Sequence, residues 1–198
     1  MRTANAIAAL LADGVGVLPT DTIYGLVGSA LSKKAVDRIY RLRKRDLKKP
    51  IIILMASVRD VELFGIRLDR HARGLLSKWW PGKVSVVLPM GKNKKMRKQF
   101  AYLHRGTNSL AFRQPKPAWL KKFLERAGPL VAPSANREGK PAAATIREAK
   151  KYFGQKVDFY FDRGVLKSKP STLVKISGRK IIVLRPGAVH IPEPRNLR

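Results

Sequence analysis

Apolar and polar positions alternate along this chain in short blocks whose period keeps changing. Residues 14–28, GVGVLPTDTIYGLVG, open with Val15, Val17 and Leu18, the β-branched and apolar character of a buried strand. Pro19 cannot donate to a sheet ladder, so pairing is expected to stop there. Thr20, Asp21 and Thr22 follow as a polar loop, and the small residues around Gly25 and Gly28 read as a turn. Ligands bind beyond the carboxyl ends of strands in open α/β sheets, although Thr and Asp also serve simply to cap and turn a chain. Upstream, Ala6, Ala9 and Leu10 are spaced as on an amphipathic helix.

The pattern then becomes helical. Ser32 is placed to cap a helix that carries Ala35, Val36, Ile39 and Tyr40 on one stripe. Arg43 falls on that stripe, so its guanidinium points toward the sheet and is expected to have an anionic partner, unless it snorkels out along its own stem. A basic segment, RLRKRDLKK over 41–49, leads to Pro50 and a buried strand over 51–55. Ser57 and Asp69 are N-caps for two short helices, the second ending near Trp79 and Trp80, ahead of a strand over 84–88. Residues 91–98, GKNKKMRK, hold five basic residues and no acid, and read as a solvated loop for polyanion contact or as a lid. In the strand 109–113, Ser109, Ala111 and Arg113 share one face, while Leu110 and Phe112 share the other. Trp119, Leu120, Phe123 and Leu124 mark a further helix. Residues 130–132 form a strand that Pro133 ends, and Ser134, Ala135 and Asn136 follow. Thr145 caps a helix to about Phe153, 159–161 is a strand, and 172–176 with 181–184 make a hairpin around Ser177 and Gly178. The tail beyond Pro186 is Pro-rich and is expected to be ordered only in part.

Composition sets bounds on what this pattern can do. At 198 residues the chain fits one domain, and no apolar run approaches the ~20 residues that span a bilayer. The start of the chain lacks a secretory cleavage pattern, so a cytoplasmic protein with no membrane partner is expected. With no Cys, disulfides, thiolate metal sites and a Cys nucleophile are excluded, and His71, His104 and His190 are too scattered in sequence to suggest a metal centre. Forty-two Lys and Arg against thirteen Asp and Glu leave a formal charge of +29, a field that attracts polyanions. The surplus over what a small-molecule site needs suggests RNA held through its phosphates, with the 41–49 and 92–98 clusters as contacts.

There is no GxxxxGK[ST] phosphate loop, GxGxxG, GxSxG or HExxH motif. What stands out is position. The residues 19–22, Arg113, 134–136 and Arg185 each lie at the carboxyl end of an expected strand, and in a largely parallel sheet they would converge on one edge. Arg suits carboxylate and phosphate, while Ser and Asn add neutral hydrogen bonds, so the implied ligand is small and multiply anionic.

These residues carry a resemblance. VLPTDTIYGL over 17–26, Arg43 and Arg45 ahead of Lys49 and Pro50, WPG over 80–82, AFR over 111–113, PSAN over 133–136, Ser171 with Thr172, and LRPG over 184–187 are together similar to the YrdC/TsaC family of threonylcarbamoyl-adenylate synthases. The match in order and spacing runs from about residue 3 to residue 189. It implies an α/β fold with a twisted, open mixed sheet, flanking helices and a concave basic cavity, over a domain 1–189 with a short basic tail 190–198. The implied reaction joins L-threonine, bicarbonate and ATP into threonylcarbamoyl-AMP and pyrophosphate, with Mg²⁺ on the phosphates, for the tRNA threonylcarbamoyl-transfer machinery. By position, Thr22, Arg113 and Ser171 would bind threonine, with Arg113 on its carboxylate, and Lys49, neighbouring the phosphate-binding pair Arg43 and Arg45, would also bind substrate. Arg43, Arg45, Ser109, Ser134, Asn136 and Arg185 would bind the nucleotide, and Arg43, Arg45, Ser134 and Asn136 would act in catalysis. Arg43 stands where the family has Lys, and Asp46 where it usually has Pro. The chain resembles the short, single-domain type. A rival expectation is a non-catalytic RNA-binding protein on the same fold, and a third is a carbamoyltransferase domain.

Overall fold

The computed structural model describes residues 3–177 and 180–192. Nine strands form one mixed sheet in the order β7-β1-β2-β6-β3-β5-β4-β8-β9. They are β1 (Val15–Pro19), β2 (Tyr24–Ser29), β3 (Ile52–Leu54), β4 (Val84–Pro89), β5 (Ser109–Arg113), β6 (Leu130–Val131), β7 (Phe159–Tyr160), β8 (Thr172–Ser177) and β9 (Lys180–Arg185). Only β1–β7, β3–β5 and β4–β8 pair in parallel; the other five ladders are antiparallel. The mixed sheet implied by the resemblance is present; the largely parallel sheet in which the strand-end residues would share one edge is not, because an apolar run reports burial and not strand direction. The second correction is β2. The small residues read as a turn form a strand that pairs back on β1, from Val15↔Gly28 to Pro19↔Tyr24.

The pleat sorts the core into two layers. Val15, Val17, Leu26, Ile53, Phe112 and Val131 point to one face. That face is covered by α2 (Lys33–Arg43), a 3₁₀ helix Val58–Phe64, α3 (Arg70–Trp79), α5 (Ala101–His104) and α7 (Ile146–Phe153). Their neighbours Leu18, Val27, Leu54 and Leu130 point the other way, onto α1 (Thr3–Leu11) and α6 (Ala118–Ala127). The four expected caps are formed: Ser32, Ser57, Asp69 and Thr145 each accept a backbone N–H of the helix that follows.

The 91–98 block is not a loop throughout. Asn93 caps α4 (Lys94–Gln99), whose three lysines stand in solvent while Arg97 Nε donates to the Gly91 carbonyl (2.9 Å). The 172–184 hairpin forms as expected, though its tip at 178–179 lies outside the described residues, as does the tail from 193 onward. Among the described residues no helix is long and apolar enough to cross a membrane.

Candidate active site

The second sheet face is covered only in part. On β5, Leu110 and Phe112 enter the core, while Ser109, Ala111 and Arg113 face the opposite side beyond the reach of α1 and α6. Ladder register aligns Ile52, Ala111, Val87 and Lys175 across four adjacent strands, and all four line one cavity of about 730 Å³. That size suits a small-molecule or nucleotide ligand. Its floor is this row, apolar at Ile52, Ala111 and Val87 and cationic at Lys175, and its walls are polar segments that arrive from both ends of the sheet. Convergence thus comes from a shared face and not from a shared parallel edge.

Among the described residues six cations line the cavity, Arg43, Arg45, Arg113, Lys140, Lys175 and Arg185, and no carboxylate does. Arg43, at the end of α2, is 3% exposed. Its Nε donates to the Asn136 carbonyl (3.0 Å), and its Nη2 to Ser134 Oγ (3.1 Å) and Asn136 Oδ1 (2.9 Å). Every acceptor is neutral, and among the described residues Nη1 has no partner. The expected anionic partner is absent from the described residues. Burial, then the nearby Arg45 charge, lowers the Arg43 pKa to about 10. Burial and Arg45 likewise lower Arg185, whose Nη2 donates to the Ser171 carbonyl at 2.9 Å. Of the three, only Arg43 is fully buried, and among the described residues it has no carboxylate partner, while Arg45 has Glu138 at 3.9 Å.

Arg113 differs. It is 4% exposed and ion-paired through Nη1 with Asp21, which the β1–β2 turn delivers into the interior. Burial lowers the Arg113 pKa, and Asp21 opposes that effect. The turn is ordered by Thr20, whose Oγ1 donates to the Ile23 carbonyl (2.7 Å) and accepts from the backbone N–H groups of Thr22 and Ile23. Thr22 lines the cavity beside it, and Ser109 lies on β5, donating to Thr107 Oγ1. Ser171 shares a hydrogen bond of 2.8 Å with Ser85. Lys49 stands apart: it does not line the cavity, it is 57% exposed, and its Nζ donates to Glu138 Oε1 at 2.8 Å. Nine of the ten expected residues therefore converge, and Lys49 instead fastens the basic segment. Sequence reasoning missed Lys140, Lys175, Thr107 and Ser168. Lys175 was within reach, because it alternates with the buried Val174 on β8; the others sit in irregular segments with no period to read.

A family model described as Sua5_yciO_yrdC, telomere recombination, matches residues 8–187. The chain belongs to the Sua5/YciO/YrdC family. It is 30% identical to the threonylcarbamoyl-AMP synthase of Pyrococcus abyssi over 88% of its length and 51% of that protein. It is equally identical to the enzyme of that name from Marinobacter nauticus, over 80% of this chain and 82% of that one. The Sua5/YciO/YrdC fold here also superposes on the crystal structure of P. abyssi Sua5 complexed with L-threonine. The TM-score is 0.80 at 28% identity, covering 93% of this chain and 54% of the other. The chain thus spans about half the length of its Pyrococcus relative.

Proposed function

We propose that this chain is a threonylcarbamoyl-AMP synthase, forming threonylcarbamoyl-AMP and pyrophosphate from L-threonine, bicarbonate and ATP. The observation that carries the reading is the cavity wall: among the described residues, six cations, no carboxylate, and a buried Arg43 with no carboxylate partner. Relatives bearing that enzyme name support it, as does the threonine-bound relative.

The chemistry asks for such a wall. The neutral amine of threonine adds to carbon dioxide released from bicarbonate and gives a carbamate, losing one proton. A carbamate oxygen then attacks the α-phosphorus of ATP, the bond from that phosphorus to the bridging oxygen breaks, and pyrophosphate leaves. The nucleophile is already an anion, so strong general-base help is not needed. The barrier lies in bringing anions together and in charge gathering on the leaving group, which preorganised cations and N–H donors offset. Arg43, Arg45 and Arg185 would hold the phosphates, with Ser109, Ser134 and Asn136 ordering the nucleotide. Ser134 and Asn136 act partly through Arg43, whose fork they fix. Thr22, Arg113 and Ser171 would hold threonine, Arg113 meeting its carboxylate while Asp21 sets the guanidinium.

Mg²⁺ ordinarily takes a protein carboxylate or two beside phosphate oxygens. The described residues bring no cluster of three His, Asp or Glu together, and no carboxylate lines the cavity, so they do not fit a protein-held Mg²⁺. The product would pass to tRNA-modifying machinery in the cytoplasm. Pyrophosphate release tests the reading: it should require both threonine and bicarbonate, and equal release with threonine omitted would refute it.

A further inference from the structure

Four of the cations that line the cavity are arginines, and each is tied by its own hydrogen bonds. Arg43 is fixed by Ser134 and Asn136, Arg45 donates from Nη2 to the Pro50 carbonyl (2.9 Å), Arg185 donates to the Ser171 carbonyl, and Arg113 is paired with Asp21. Lys140 and Lys175 line the same cavity and are exposed, and among the described residues neither has a carboxylate partner. Lys140 follows Gly139, which has a φ of 78°, in an irregular segment. Lys175 instead sits on β8, which is paired on both sides, with Val87 of β4 and Ile182 of β9 opposite it. A flexible point charge thus rises from a fixed strand.

Strand register locates that charge relative to the others. Arg113 stands two residues beyond Ala111 on β5. Because β5 runs antiparallel to β4, and β4 parallel to β8, the same step in the same direction leads from Lys175 back to Leu173, which pairs with Arg185. Arg113 and Arg185 therefore share one row, close enough for the Arg185 charge to act on Arg113, and Lys175 stands on the next, about 7 Å along the strands. In the synthase reading, on which this inference rests, the Arg113 row holds threonine. Phosphoryl transfer keeps the attacking and leaving oxygens roughly in line, so pyrophosphate departs on the side of the α-phosphorus away from threonine. The row of Lys175 is on that side. We propose that Lys175 is a further catalytic residue, its ammonium meeting the pyrophosphate oxygens as they gain charge. The bond from the α-phosphorus to the bridging oxygen breaks with its electron pair passing to pyrophosphate, and Lys175 transfers no proton but donates hydrogen bonds to the departing oxygens. Being untied, its head follows the leaving group, which the anchored arginines do not.

The test uses the full chain with Lys175→Gln, Lys175→Arg and, for the same charge loss elsewhere, Lys122→Gln at an exposed position of α6. Inorganic pyrophosphate is titrated by calorimetry in excess EDTA, so that no divalent cation screens it, and threonine-dependent pyrophosphate release is followed separately. Lys175→Gln should weaken pyrophosphate about tenfold, as the loss of a charge-assisted contact does. It should lower kcat on the order of a hundredfold while the threonine KM stays within about twofold, the pattern of a contact made as the leaving group forms. Lys175→Arg should recover most of both losses, and Lys122→Gln should match the parent. A pyrophosphate affinity in Lys175→Gln equal to that in Lys122→Gln would overturn the proposal. So would weaker pyrophosphate with kcat unchanged, which would make Lys175 a contact of the released product only. If the parent releases no pyrophosphate with threonine, the synthase reading fails by itself, and the titration still decides whether Lys175 meets pyrophosphate.

Discussion

Arg43 donates three hydrogen bonds to neutral oxygens, and its charge is left for the ligand. Its pKa, lowered to about 10, means that the fold binds this proton less tightly than the unfolded chain does. The charge therefore opposes folding at neutral pH, and that opposition fades as pH rises past about 10. Binding should follow the opposite sense: ATP affinity, measured by titration calorimetry, should stay level from about pH 7 to 9 and weaken above about 10. Arg43→Gln should cost about 2 kcal/mol of ATP affinity, roughly thirtyfold in Kd, because a charge-assisted contact is lost. Arg113 sets a different problem, since truncating it strands the buried Asp21 carboxylate. Arg113→Met should lower stability to urea by about 3–5 kcal/mol, and adding Asp21→Asn should restore much of it. Threonine affinity should stay low in both variants if Arg113 grips the carboxylate; a rescue of affinity together with stability would give Arg113 a structural role only.

At the scale of elements, the β1–β2 hairpin and the segment after α2 shape the cavity mouth. Glu138 fastens that segment, accepting from Lys49 Nζ and from the Asp46 N–H, with Arg45 Nη1 at 3.9 Å. The Lys49 contact, then the Asp46 N–H, holds the Glu138 carboxyl below its ordinary value, so this fastening is complete above the usual carboxylate range and is lost as pH falls through the lowered pKa. Glu138→Gln should speed hydrogen exchange at the Asp46 amide and abolish its acid dependence; an unchanged amide would remove Glu138 from the account. The helices here were legible because caps and apolar stripes are local signals, as at Ser32 and Thr145. The strand β2 was not, because its glycines are poor strand formers, and one of them, Gly28, is required by a close approach. A Cβ at Gly28 would meet Ala35 and Ile39 of α2 at 3.2 and 3.1 Å. The helix α4 was hidden by its charge, although Asn93 supplies its cap.

For the whole molecule, the alternation on β5 correctly put Ser109 and Arg113 on a polar face, but what that face met depended on strand order. Sheet order is a long-range property, and no residue pattern announces it; so Arg43 was seen to need a partner, while the neutral Ser134 and Asn136 acceptors came only with the fold. The same long-range assembly gathers six cations of the described residues about one cavity, with a net charge of +29 overall. An anion bound at this cavity would add to stability, by about 2.7 kcal/mol at a hundred times its Kd. The central claim is that the cavity joins three small molecules through a carbamate, and the most direct measurement follows the carbon. With carbon-13 bicarbonate, ATP and threonine, mass spectrometry should find one labelled carbon in an adduct of threonine and AMP, formed in step with pyrophosphate and absent when threonine is withheld. Release of AMP and pyrophosphate with no labelled adduct, or an ATP pool left intact under these conditions, would contradict the account.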